Sequence, residues 1–572
     1  MKFLCVLCAL CGLALPAHAL DREAFTFTRY QLEARIEPEQ QRLAVRGKII
    51  LRNDSTTAQK NLVLQISSTL SWISIQADGK AVEYSRHEYV SAIDHTGALS
   101  EAVVTLPQAV LPGRTIQLEV GYEGVVPLDT TRLTAIGVPE DKAKHSDWDQ
   151  ISRSFSAVRG IGYVAWYPVA SEAASLSNAN SVAEAVGRWR HREIDGEMLV
   201  DFCSSVEQTQ VALAQVSENI GGEFGEEGMP GNPWICATHR FVGLSVIVPL
   251  FVSAKYQVME NSYVTVAYRP DHRSGAENYA LAAELAAPLV TEWFGTPRRK
   301  GEVTDLAEPD ASAFESGTVL LDPLTSSDTR SYQLAAVHQL THAALFSSQP
   351  WIYEGAAHFA QALEQEQLSN RQAALDFMGS HRAAIVDGEK AARTRPDREV
   401  AEALTKTSTE EFYRSKAIYV LWMLRDMVGD AALKRALASY QLSQDRDPSY
   451  VQHSIETQSK RDLQWFFDDW VYHDRGLADF RIDSVASRSA DGASVLTVSV
   501  ENLGDAGAEV PIVVKMARGE TTSKLEVRAR SKATVRITVA DSPLSVTVND
   551  GSVPESDLSN NTYKIQSQDT AR

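Results

Sequence analysis

The chain has 572 residues, a formal net charge of −19 and a pI near 5.2, with 44% hydrophobic and 23% charged residues. That length suits roughly three or four domains, and the balance is that of a globular protein, which excludes wholesale disorder. The excess of acid argues against nucleic acid and anionic membrane as partners.

The chain opens with the form of an export leader. Lys2 supplies the charge, residues 3–15 an apolar core, and Ala17-His18-Ala19 a cleavage site, so residues 1–19 are expected to leave and the mature chain to begin at Leu20. The protein is accordingly expected to be periplasmic or secreted. Cys5, Cys8 and Cys11 depart with the leader. Cys203 and Cys236 remain, as one disulfide or as two thiols, on either side of a glycine-rich stretch at residues 221–225. Residues 241–254 are apolar but too short to span a bilayer and are interrupted by Pro249; they read as a buried strand pair. No transmembrane segment is expected after leader cleavage.

Residues 20–262 read as a β-rich N-terminal region. Short apolar runs at 43–51, 62–66 and 116–120, separated by turn residues, predict an antiparallel sandwich. Residues 163–168, around Trp166, and residues 188–202 read as further strands. Helical spacing begins near Ala276, and the run 279–294 stops at Gly295. A short strand at 318–321 ends at Asp322-Pro323. A helix from about Ser331 carries His338 and His342, a break falls at 347–350, and a second helix follows over 352–367. Residues 412–428 form another, capped by Gly429. This mostly helical domain covers 263–476. Alternation returns after Gly476, with Leu496, Val498 and Val500 on one face, and predicts an immunoglobulin-like β sandwich over 477–572. The fold class is multidomain α+β.

The chemistry concentrates in residues 338–358, HQLTHAALFSSQPWIYEGAAH. His338 and His342 are four apart, which places both imidazoles on one helix face. Glu354 follows on the next helix. Two histidines and a carboxylate are the ligand set of a catalytic zinc site with one open position. Zinc peptidases of this kind read HExxH, with the glutamate as general base, and here that position is Gln339. An amide has the shape of the base without its basicity, and losing a general base costs about 10²–10⁴-fold in rate. His358, one turn after Glu354, is either an orienting partner of a ligand or an ordinary half-buried histidine.

The region resembles the gluzincin zinc metallopeptidases, and specifically the aminopeptidase N family. The resemblance lies in the HQLTH and WIYEG pair, and in Ala313-Phe314-Glu315-Ser316-Gly317, which is similar to the family's G-x-M-E-N strand. It lies also in Tyr413 of Tyr-Arg-Ser-Lys-Ala, and in the run 463–470, LQWFFDDW. It implies a thermolysin-like helical metallopeptidase domain behind a β sandwich or saddle. It also implies one zinc ion on His338, His342 and Glu354, and a peptide as substrate or ligand. Glu315 would bind the substrate's amino terminus, Tyr413 would stabilise the oxyanion, and Gln339 would occupy the place of the base. The chain departs from the family in Phe314 and Ser316, in the short eleven-residue spacing between His342 and Glu354, and in Gln339. The expectation is therefore an exported zinc metallopeptidase of the aminopeptidase N type with impaired proton transfer. The alternative is a pseudopeptidase that keeps zinc and binds peptides or proteins without cleaving them. A relict structural protein without metal is disfavoured, because the ligand set is complete.

Overall fold

The computed structural model describes residues 20–565 except 179–180, 205–208, 213–233, 327, 393–402 and 491–492. The leader and the glycine-rich stretch at 221–225 lie outside the described residues. Among those described, no helix is long and apolar enough to cross a membrane.

The N-terminal strands follow one another as β1 (Phe25–Glu37), β2 (Arg42–Asn53), β3 (Gln59–Ser67), β4 (Leu70–Ala77), β5 (Lys80–Ala81), β6 (Glu83–Val90), β7 (Ala98–Val110) and β8 (Thr115–Val125). After β9 (Phe155–Val158) and helix α1 (Ser181–Arg192) come β10 (Glu197–Ser204), β11 (Thr209–Ala212), β12 (Ile235–Val242) and β13 (Phe251–Ala254). They form a seven-stranded sheet in the order β12-β10-β1-β2-β8-β4-β5, a three-stranded sheet β3-β7-β6 and a small sheet β11-β13-β9. The large sheet is mixed rather than antiparallel, since β1 and β10 run parallel. A helical crossover, α1, precedes β10 and allows it to arrive in that direction. Cys203 and Cys236 face each other in the β10–β12 register and are joined as a disulfide.

Three stretches differ from their expected strand form. Residues 188–192 end α1, where Ala185 and Trp189, four apart, are buried and their neighbours are not; alternation of Trp and Arg imitates a strand. Residues 164–168 are buried and Tyr163 is half-buried, yet the stretch joins no sheet. Their backbone bonds instead to side chains and single partners: Ala165 N donates to Asp94 Oδ1 (2.9 Å), Trp166 O accepts from Tyr122 (2.9 Å) and Pro168 O from Tyr30 (3.0 Å). The apolar run 241–254 is not a strand pair either. Its ends belong to different sheets, and the irregular middle is tied to Ser316, whose Oγ accepts from Val248 N (2.8 Å) and donates to Val248 O (3.1 Å).

A five-stranded sheet comes next, built from β14 (Gln257–Glu260), β15 (Val264–Tyr268), β16 (Gly301–Asp305), β17 (Phe314–Ser316) and β18 (Val319–Asp322), in the order β14-β15-β16-β18-β17. The hairpin β14–β15 straddles residue 262. Against this sheet lie helices α2 (Arg273–Phe294) and α3 (Thr329–Ala344), and packed on them and on one another are α4 (Pro350–Leu368), α5 (Arg371–Gly379), α6 (Arg382–Ala392) and α7 (Glu410–Val428). The last two strand layers, of three and four strands, run between Phe480 and Lys564. One apolar core is continuous from the five-stranded sheet through the helices into these layers, and a second fills the N-terminal region. The molecule is a multidomain α+β protein.

Candidate metal centre

Helix α3 begins at Asp328, whose side chain accepts from Arg330 N, and ends at Ala344. Four residues' separation brings the His338 and His342 rings onto one face, and their Nε2 atoms are 3.0 Å apart. Helix α4 starts on Pro350, a residue pre-set for the first helical turn. It brings Glu354 against both imidazoles, 3.5 Å from His338 Nε2 and 3.7 Å from His342 Nε2. Edge strand β17 brings Glu315 in from the other side, 3.4 Å from His338 Nε2 and 3.9 Å from His342 Nε2. Glu315, His338 and His342 offer donor atoms all within 4.8 Å of one another. The spacing argument selected Glu354 as the carboxylate; the geometry brings both carboxylates equally close.

The donor set fits a divalent ion. Two imidazole nitrogens 3.0 Å apart have carboxylate oxygens 3.4–3.9 Å away on Glu315 and Glu354, and only one proton can bridge the two nitrogens. Charge follows the same pattern. Burial alone would push His338 down, but Glu315 and Glu354 outweigh it and hold that imidazole at about 9. His342, lacking a comparable hydrogen bond, is pushed down by burial to about 3. Burial pushes Glu315 up to about 8, whereas at Glu354 the His338 hydrogen bond and the neighbouring imidazoles overcome burial and hold the carboxyl well below its usual range.

Gln339 does not face this cluster. It is fully buried on the sheet side of α3, where its Nε2 donates to Glu302 O (2.8 Å) and Thr318 O (2.9 Å) and its Oε1 accepts from Tyr279 (3.0 Å). A Cβ at Gly301 would lie 2.6 Å from that Oε1, so the amide fills its slot. Gln339, expected in the place of a catalytic base, has its amide fastening α3 to β16 and to the turn before β18. Two backbone carbonyls select an NH₂ group, not a carboxylate.

The cluster opens on a cavity of about 850 Å³ lined by Tyr163, Arg190, Phe314, Glu315, His338 and Glu354 among others. Tyr413 is buried and lines a smaller adjoining cavity of about 70 Å³, which shares Arg190 and Glu410 with the larger one. His358 packs edge-on against His338 and bonds through Nδ1 to Gln361 Oε1 (3.0 Å); it approaches the cluster without joining it.

Three residues that spacing did not single out support the site. Gln361 joins His358 Nδ1 (3.0 Å) to Leu334 O (3.1 Å) beside His338 and lies seven positions after Glu354 on the same helix, a signal that could have been read. Tyr353 stacks on the His342 ring at 3.8 Å. Asp445, distant in sequence, clamps the break between the ligand helices, accepting from Ser347 Oγ (2.9 Å), Ser348 N (2.6 Å) and Ser348 Oγ (2.6 Å), with Tyr440 also bonded to it. Asp445→Ala removes the acceptor that Ser347, Ser348 and Tyr440 share. It is expected to cost about 1–3 kcal/mol in urea unfolding, and to weaken zinc binding in a chelator competition by about tenfold as the helices loosen. An unchanged zinc affinity would show that the clamp does not position the ligands.

No protein-family model matches the chain, and no curated protein matches it. Among solved structures it is similar to the crystal structure of the M1 zinc metallopeptidase from Deinococcus radiodurans, at 16% identity and a TM-score of 0.42, covering 76% of this chain and 90% of that one. A likeness this distant assigns no residue and no activity.

Proposed function

We propose that this chain is an exported zinc protein of the metallopeptidase type, with one zinc ion on His338, His342 and Glu354 and a peptide as its ligand. The observation that carries the reading is the pair of imidazoles with the Glu315 and Glu354 carboxylates beside it, at an 850 Å³ cavity lined by Glu315, His338 and Glu354. Zinc bound there supplies a Lewis acid able to polarise a peptide carbonyl. The chain's own residues divide the remaining work. Gln361 fixes His358, whose ring packs edge-on against His338, and Tyr353 keeps the His342 ring flat against it. Tyr163 and Phe314 meet edge-on at 5.3 Å and give the cavity an aromatic wall suited to an apolar side chain. Tyr413, in the role the resemblance implies, is a hydrogen-bond donor for a carbonyl oxygen at the edge of the site. Its hydroxyl is pushed well up by burial and stays protonated.

Gln339 favours the non-hydrolytic form of this reading. Its amide is spent on the sheet, so no group at that position moves a proton for the zinc site. The test is a hydrolysis assay on amino-acid anilides and short peptides, with zinc quantified in the same preparation. The expected result is about one zinc per chain, lost in Glu354→Ala, with no turnover by the parent. Zinc-dependent turnover by the parent would restore the aminopeptidase reading. Absence of zinc in the parent, and failure to take it up, would end both.

A further inference from the structure

We infer that Arg190 and Arg414 form an anion subsite in the large cavity, and that the peptide this chain takes is a short one that brings a carboxylate to it. The inference rests on the peptide-binding reading proposed above and names the chemistry of that peptide. Three guanidiniums line the cavity, those of Arg132, Arg190 and Arg414. Arg132 is fully engaged. Its Nε and Nη2 donate to the two oxygens of Asp147 (2.7 and 2.6 Å), and its Nη1 donates to Ala92 O (2.9 Å) and Gly162 O (2.6 Å). Arg190 and Arg414 are not. Arg190, near the end of α1, reaches Glu410 Oε2 at 3.2 Å and Val246 O at 3.4 Å, and its Nε is buried without a hydrogen-bond partner. Arg414, one turn after Glu410 on α7, stands 3.9 Å from Glu410 Oε1, beyond hydrogen-bond length, and its Nε also lacks a partner. Charge-assisted N–H···O bonds close to about 2.7–2.9 Å. The Arg132 pair does so, and neither contact to Glu410 does.

Two cations therefore share one carboxylate, and this wall of the cavity keeps an excess of positive charge. The Arg414 side chain is 38% exposed, so its guanidinium is within reach of a ligand. Burial opposes the charge on Arg190, but Glu410, Tyr413 and Glu354 outweigh it and raise its pKa, so the group stays charged in the field of the cluster's own carboxylate. A divalent ion beside Glu315 and Glu354 would balance those two acids and leave the arginine wall for a ligand to neutralise. A planar carboxylate matches the fork of a guanidinium, two N–H groups to two oxygens. The same cavity is lined by His338 and Glu354, and its volume of about 850 Å³ lies within the range of about 300–1,000 Å³ of small-ligand sites. A short peptide can then lie between the metal cluster and the arginines. Its carboxylate is either the chain terminus or an acidic side chain, and both present the same two oxygens.

The experiment is isothermal titration calorimetry on the full mature chain, with zinc quantified in the same preparation and three probes: trialanine, trialanine amide and Ala-Glu-Ala amide. At least one of the two peptides that carry a carboxylate is expected to bind about tenfold or more tighter than trialanine amide. A preference for trialanine assigns the carboxylate to the chain terminus, and a preference for Ala-Glu-Ala amide assigns it to a side chain. If the parent cleaves the probes, the same preferences are read as ratios of kcat/KM. Arg414→Gln, checked for folding by its thermal melt, should reduce the preference to within about twofold. Glu410→Gln should increase it, because both guanidiniums are then free for the ligand, and this variant carries the test if Arg414→Gln does not fold. Arginines that served only to pin α1 to α7 would leave the ratio unmoved in both. No preference in the parent, or a preference that neither variant changes, would overturn the inference; with zinc bound, that failure leaves the metal reading intact. Absence of zinc with the preference retained would end the metal reading and leave the subsite standing.

Discussion

Gln339→Glu is expected to destabilise the protein by about 3–5 kcal/mol and not to switch on hydrolysis. The substitution restores the HExxH letters, but the side chain lies between the carbonyls of Glu302 and Thr318, to which the native amide donates both its protons. A carboxylate there faces two oxygens at hydrogen-bond distance, with Tyr279 as its one donor. The sign of the pH dependence follows. Carbonyl neighbours and burial raise the new group's pKa in the folded state. The protonated form is the tolerated one, and stability is lost as pH rises through that folded value. Urea unfolding should show a smaller deficit near pH 5 than near pH 8. Gln339→Met, which removes both donors without adding charge, should show a smaller and pH-independent loss of about 1–3 kcal/mol. Full stability of Gln339→Glu at pH 8 with zinc-dependent cleavage of an anilide would mean that this side chain can turn into the cavity.

Lys416→Met is expected to cost about 3–5 kcal/mol. Lys416 is fully buried on α7, three residues after Tyr413, with its Nζ 2.8 Å from Asp474 and 3.6 Å from Glu389. It thereby joins α7 to α6 and to the segment leading into the last strand layers. Burial opposes its charge, but the two carboxylates outweigh that and raise its pKa above the ordinary lysine value. Its contribution is therefore fully present through neutral pH and is lost only as pH climbs through the raised folded value. Methionine keeps the volume and takes the ammonium away from two buried carboxylates. One of them takes a proton more readily as pH falls, so the deficit should shrink on acidification from about pH 8 to about pH 5. A deficit under about 1 kcal/mol at neutral pH would show that the cavity admits enough water to solvate both acids.

How far the sequence could be read depended on whether the governing partner was local. The separation of His338 from His342 and the placement of Glu354 after a helix break are local facts, and all three side chains meet. Helix ends at Gly295 and Gly429 were legible for the same reason. Residues 163–168 were not, because apolar extended chain looks alike whether its backbone pairs with a strand or with Asp94, Tyr30 and Tyr122. The direction of Gln339 was set by carbonyls on β16 and before β18, and no spacing rule reaches them. Glu315 was picked out as a substrate-binding group from the form of its motif; its distance from the imidazoles is a property of where β17 lies beside α3. Asp445 had no signal at all.

That last contact ties the ligand helices to the chain far downstream. Ser347 and Ser348 sit between His342 and Glu354, and they are held from 97 and 98 positions away. An ion gripped by α3 and α4 is then thermodynamically linked to the closing of the whole helical body. At a thousand times its dissociation constant, such an ion lends about 4 kcal/mol to that body. Removing it should lower the melting point of helices that never touch it, and a chain truncated before Asp445 should carry every proposed ligand and still hold the ion poorly.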